Sequence, residues 1–140
     1  MALARHVRRW PQPTVASISV MAKKPPGIWV GHIELEVAEP ERSHDFFLQT
    51  GMRTIHRSSD LAILELRGGT HLLLFRGSGT PGAAPFDLMV DDLDASHAEM
   101  TARGLSVSTI ARGEIHDMFT LTDPDGHTIT LRNSHVEGDG

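Results

Sequence analysis

Four ionisable residues stand where strand side chains could do chemistry: His32 and Glu34 in GHIELEV (31–37), Asp87 in FDLMV (86–90), and His116. Side chains alternate across a strand, so Glu34 shares the face of His32, and Asp87 takes the equivalent face of a second strand. In the same phase come His116, Met118 and Thr120 from a neighbouring strand, and Thr128, Thr130 and Arg132 from the last one. A cleft lined by His32, Glu34, Asp87 and His116 can in principle assemble a nonstandard divalent-metal site or an acid/base pair. The same residues equally suit the rim of a half-solvated sheet. Asp87 is the telling position, because a carboxylate inside an apolar strand needs water, a partner or a ligand.

The elements that position these residues follow from periodicity and punctuation. A first strand is expected over 29–37, where Ile33, Leu35 and Val37 alternate with His32, Glu34 and Glu36. Pro40 suits the first turn of a helix reaching about Thr50, and Gly51 suits its stop. Strands over 52–57, 61–66 and 71–76 come next, separated by Ser58-Ser59-Asp60 and Gly68-Gly69. After the Gly/Pro-rich linker 77–84 the order repeats: a strand over 86–90, a helix from an Asp91 or Asp92 cap to Arg103, and strands over 105–111, 116–122 and 127–132. Asp123-Pro124-Asp125-Gly126 is a strong turn between the last two.

The repetition is literal. Val37–Met52 (VAEPERSHDFFLQTGM) aligns without a gap on Val90–Leu105 (VDDLDASHAEMTARGL), so one supersecondary unit is written twice. His44 and His97 fall on matching helix positions, where helix packing or surface exposure accounts for them. His127, just past the DPDG turn, is expected to be exposed, and Arg76 and Arg132 occupy matching strand ends. His71 is left unassigned, because its face depends on the strand register.

Composition bounds the function. The chain of 140 residues is 39% hydrophobic and 22% charged, which suits one domain with a single core. No apolar run approaches the roughly 20 residues of a membrane span. Residues 1–26 hold five basic side chains and no acid, and the remainder carries 8 basic and 18 acidic residues. That acidic body argues against nucleic acid as a partner. The absence of cysteine excludes disulfides and suits a reducing compartment such as the cytoplasm. Segments 1–26 and 134–140 read as tails, the first disordered, around one domain over 27–133 built of modules 27–76 and 85–133.

The duplicated unit, GHIELEV, FDLMVDDLDA and the closing DPDGHTITL together resemble the vicinal oxygen chelate superfamily, which includes glyoxalases, extradiol dioxygenases and bleomycin-resistance proteins. The resemblance implies an α+β fold in which two tandem βαβββ modules form a curved, barrel-like mixed sheet around a cleft, with the helices outside. It also implies that metal-using members draw ligands from the first and last strands of each module. His32 matches the first such position, and its counterpart in the second module is Pro85, which cannot ligate. The last-strand acid position is Thr130, and aligning HLLLF (71–75) on HTITL (127–131) makes Leu74 its counterpart, or Leu73 after a slip of one residue.

One filled position of four falls short of the about three protein ligands such metals need. The expectation is therefore a cofactor-free, small-molecule-binding homodimer that sequesters an organic ligand with cationic or hydrogen-bond-donor groups through His32, Glu34, Asp87, Met89, His116, Met118, Thr120, Thr128, Thr130 and Arg132. The alternative is a lyase or dioxygenase that binds zinc, manganese, nickel or iron through His32 and nonstandard partners. A regulatory module with a vestigial cleft is a third possibility.

Overall fold

A computed structural model describes residues 24–134. The tails expected over 1–26 and 134–140 fall almost wholly outside that range. The first module runs β1 (His32–Val37), α1 (Pro40–Leu48), β2 (Arg53–Arg57), β3 (Leu61–Glu65) and β4 (His71–Arg76). The second runs β5 (Gly82–Val90), α2 (Leu93–Ala102), β6 (Ser106–Val107), β7 (Met118–Thr122) and β8 (His127–Asn133). Each module forms its own four-stranded mixed sheet, ordered β1-β4-β3-β2 and β5-β8-β7-β6, with the first and last strands parallel. The tandem βαβββ architecture is the one expected.

The alternation in each strand decides which face meets a helix. Leu35, Val37, Ala62, Leu64, Leu72 and Leu74 of the first sheet, and Phe119, Leu121, Ile129 and Leu131 of the second, are buried beneath the helices. Burying each such large side chain contributes roughly 2 kcal/mol. Phe47 of α1 and its counterpart Met100 of α2 complete a single apolar cluster that spans both modules. Gly51 and Gly104 end the helices at matching positions with φ of 106° and 77°, a conformation that any side chain would strain. Asp92, not Asp91, caps α2: its carboxylate accepts the Ala95 N–H at 3.0 Å.

The matching histidines both stitch a helix to a sheet. His44 is buried, with its ring nitrogens 2.9 Å from Asp45 Oδ1 and 2.9 Å from Thr54 Oγ1. His97 lies edge-on against Phe119 and 2.7 Å from the Ser108 carbonyl. Beside His44, the Ser43 hydroxyl is buried without a hydrogen-bond partner among the described residues. Ser43→Ala is therefore expected to raise stability by about 1 kcal/mol, because it removes a desolvated group that gains nothing in return. Denaturant unfolding of the two proteins measures the difference, and a loss of stability would mean that the hydroxyl is satisfied in solution.

Three boundaries differ from expectation for physical reasons. The first strand begins at His32 and not at Trp29; Ile28, Trp29 and Val30 are 84%, 67% and 57% exposed. The strand expected over 105–111 shortens to Ser106–Val107. There the Ser108 N–H still donates to the Thr120 carbonyl, but the Ser108 hydroxyl accepts the Thr120 N–H at 2.9 Å in place of the ladder carbonyl, and beyond it the Ala111–Met118 bridge stands isolated. β5 begins inside the expected linker, because Gly82 and Ala83 already pair with His127 and Thr128. The ladder then shifts register before Asp87, and Pro85, which has no N–H to donate, falls within that shift.

Candidate functional site

The sheet faces turned away from the helices carry the polar residues singled out above. On the first sheet, β1 presents His32, Glu34 and Glu36 opposite His71, Leu73 and Phe75 of β4. On the second, Asp87 lies opposite Thr130, and Met89 lies opposite Arg132. β7 adds Met118, Thr120 and Thr122 opposite Arg132, Thr130 and Thr128. All ten expected ligand contacts lie on these two faces or at their edge. His116 is the one at the edge: it precedes β7, and its Nδ1 is 3.0 Å from the Asn133 carbonyl oxygen.

Pairing across the strands corrects two comparisons between modules. Glu34 pairs with Leu73 as Asp87 pairs with Thr130, so the counterpart of Thr130 is Leu73; Leu74 is buried on the helix side. By the same register Arg132 corresponds to Phe75, and Arg76 is not its counterpart. Arg76 instead hydrogen-bonds the Ser59 carbonyl.

The carboxylates differ in what already claims them. Asp87 pairs with Arg132, whose Nε lies 3.1 Å from Asp87 Oδ2. Glu36 accepts the Ser78 N–H at 2.9 Å and is tied to the linker. Glu34 makes no hydrogen bond or ion pair among the described residues. It lines a hollow of about 360 Å³ where the start of β5 runs beside β1, together with Phe75, Pro81, Pro85 and His127.

A larger hollow of about 430 Å³ lies among Glu39, Glu41, Arg42, Asp45 and Arg57. Its charges already neutralise one another. Hydrogen bonds from Arg57, and then His44, hold the Asp45 carboxyl down at about 2. Elsewhere, Arg112 lowers Asp94 and Asp117, and Arg67 lowers Asp91. These shifts mark arginine-paired surface groups and not a reaction centre.

His127 is buried, against expectation, because Asp123 claims it. Asp123 accepts the His127 N–H at 2.6 Å and the Asp125 N–H at 3.1 Å, and its second oxygen is 2.8 Å from His127 Nδ1. Asp125 in turn accepts the Ala38 N–H at 2.9 Å and an Arg42 N–H at 2.6 Å, both from the first module. Asp123, Asp125 and His127 are close enough together to hold a cation. Their oxygens are already used to close the turn and fasten it to the other module, where Arg42 pairs with Asp125.

Two duplicated βαβββ modules, with polar open faces and the DPDG turn between the last two strands, are matched by the family model for the Glyoxalase/Bleomycin resistance protein/Dioxygenase superfamily over residues 29–131. The chain belongs to this superfamily. Comparison with curated proteins gives no significant match. Among solved structures, TnmS3, an antibiotic binding protein from Streptomyces sp. CB03234, is 23% identical, with a TM-score of 0.64 over 78% of this chain and 98% of that one. Lactoylglutathione lyase from Agrobacterium tumefaciens is 18% identical, with a TM-score of 0.66 over 81% of this chain and 98% of that one. A bleomycin resistance determinant encoded on the transposon Tn5 is 19% identical, with a TM-score of 0.63 over 78% of this chain and all of that one. At these identities the likeness establishes the superfamily's fold.

Carried over by the resemblance, the superfamily's metal positions fall here on His32, Leu73, Thr130 and, by sequence, Pro85, which lies in the register shift. By pairing, Ala83 stands opposite Thr128 as His32 stands opposite His71, and alanine offers no ligand either. An imidazole, an isobutyl group, a proline ring and a hydroxyl do not make a divalent-metal site. The residues present do not fit that group.

Proposed function

We propose that this protein binds a small organic molecule between the open faces of its modules and does so without the superfamily's metal. The observation that carries the reading is the pairing of Glu34 with Leu73 and of Asp87 with Thr130, which puts a leucine and a threonine at the last-strand metal positions and sets a carboxylate beside each. Of Glu34, Glu36 and Asp87, Glu34 alone has no partner among the described residues, so it is the group that would receive a cationic or hydrogen-bond-donating part of the ligand. The Asp87–Arg132 pair and the threonines would orient its polar edge, and Met89 and Met118 would adapt to its apolar body. The open faces are only partly covered within one chain, and a second copy is proposed to supply the facing wall. The antibiotic-binding and bleomycin-resistance neighbours agree with a sequestering role, and the cysteine-free composition agrees with a cytoplasmic one.

The test is a thermal-shift and calorimetric screen of chelator-treated protein against cationic small molecules, bleomycin among them. For a ligand that binds, Glu34→Gln is expected to weaken affinity roughly tenfold or more through loss of a charge-assisted contact. Asp87→Asn should cost less, because Arg132 already neutralises that carboxylate. The reading fails if chelation abolishes binding of every ligand that the untreated protein takes.

A further inference from the structure

The fold uses one ring nitrogen of His127 and leaves the other free. The side chain is only 8% exposed, and Nδ1 lies 2.8 Å from Asp123 Oδ2. The other Asp123 oxygen already accepts the Asp125 and His127 N–H groups, so this carboxylate stands as an acceptor and the proton between the two side chains sits on Nδ1. A histidine held in that tautomer offers the lone pair of Nε2 as an acceptor. Nε2 has no hydrogen bond among the described residues, where Ser43 Oγ is the sole side-chain polar atom both buried and unpartnered; Nε2 is therefore open to solvent. His127 lines the hollow of about 360 Å³ beside β1, together with Glu34, Phe75, Pro81 and Pro85, and that hollow is where the nitrogen emerges.

We infer that His127 Nε2 and Glu34 are the two acceptors of one subsite, which selects a ligand whose cationic group carries at least two N–H donors: an amidinium, a guanidinium or a primary ammonium. This rests on the reading above, in which Glu34 receives the cationic part of the ligand. The lining of the hollow includes Glu34 and Glu36 but no lysine or arginine, and Glu36 is held by the Ser78 N–H alone, so negative charge there has no cation to balance it. A cation with two N–H groups satisfies both acceptors at once. A quaternary ammonium brings the charge without a donor and leaves the imidazole nitrogen desolvated and unpaired. An anion meets two carboxylates. Phe75 and the prolines supply an apolar border, which suits the flat faces of an amidinium or guanidinium better than a hydrated inorganic ion. Asp123 is a positioning residue, because it touches no ligand and fixes the direction of the hydrogen bond that His127 makes.

The experiment titrates the full chain, before and after chelation, with benzamidinium, benzyltrimethylammonium and benzoate, by calorimetry and by NMR of the histidine ring nitrogens. Benzamidinium is expected to bind saturably, to shift the His127 Nε2 signal, and to bind roughly tenfold or more tightly than the quaternary ammonium, the worth of one charge-assisted hydrogen bond. Benzoate should not bind. Asp123→Asn keeps an acceptor for the two backbone N–H groups but turns an amide N–H toward Nδ1, which moves the ring proton to Nε2 and makes it a donor. That variant should weaken benzamidinium roughly tenfold or more. Ala83→Leu, which fills the hollow from β5 and leaves Asp123 and His127 intact, should weaken it too. If Asp123→Asn does not fold, Ala83→Leu and the ring tautomer of the unaltered protein decide the matter. Absence of saturable benzamidinium binding, equal affinity for the quaternary ammonium, a proton on Nε2 in the unaltered protein, or indifference to either variant would each overturn the inference. A screening ligand weakened by Glu34→Gln but not by Asp123→Asn or Ala83→Leu would sink this inference and leave the proposed function standing, whereas loss of all binding on chelation would sink the proposed function.

Discussion

Asp125→Ala is expected to lower the unfolding free energy by about 2 kcal/mol, chiefly the cost of leaving the Ala38 N–H without its acceptor. The Asp125 side chain is only 5% exposed, and it receives both the Ala38 N–H and the Arg42 guanidinium. Truncation strands a backbone donor at the junction of the modules. Companion variants separate the contributions. Arg42→Ala should cost less than about 1 kcal/mol, because that side chain is 47% exposed and exposed ion pairs contribute little. Asp125→Asn keeps an acceptor for the Ala38 N–H and should fall between the two. Chemical denaturation gives all three values, and an Asp125→Ala loss no larger than that of Arg42→Ala would show that the buried N–H is not what matters.

Phe47→Ala is expected to cost more, about 3–5 kcal/mol, through lost burial and the cavity left behind. Phe47 has no exposed surface, and its ring lies edge-on to Phe46 with centroids 5.1 Å apart. Its counterpart Met100 is likewise buried, but methionine is flexible and its neighbours repack, so Met100→Ala should cost about 2–3 kcal/mol. Because one apolar cluster spans both modules, each variant should unfold in a single transition and not module by module. Two resolved transitions in calorimetry would contradict that.

The parts of this fold that sequence could reveal were those encoded locally. GHIELEV carries its own alternation, the helices carry matching stops at Gly51 and Gly104, and DPDG names its own turn. HLLLF carries no such signal: three leucines and a phenylalanine in a row have no period of two, so aligning His71 on His127 misplaced the register by one. Matching core to core, Leu72 and Leu74 with Ile129 and Leu131, would have found Leu73 as the counterpart of Thr130. The faces of Glu34 and Asp87 followed from alternation alone. Their partners did not, because Arg132 lies 45 positions from Asp87 and meets it only across the β5–β8 ladder. The burial of His127 was hidden for the opposite reason: Asp123 is a near neighbour, but turn sequences alone do not say which side chain folds inward.

The register shift at Pro85 bears on how such a scaffold can change over evolutionary time. Of the superfamily's four metal positions only His32 carries a donor, so any single replacement at Leu73, Pro85 or Thr130 yields two ligands, short of the about three that hold an ion. At Pro85 the obstacle is doubled, since the ladder around it is shifted and a new side chain there would not automatically aim across at Thr130. Reaching three ligands at those positions therefore takes two changes, the first of which leaves an incomplete set.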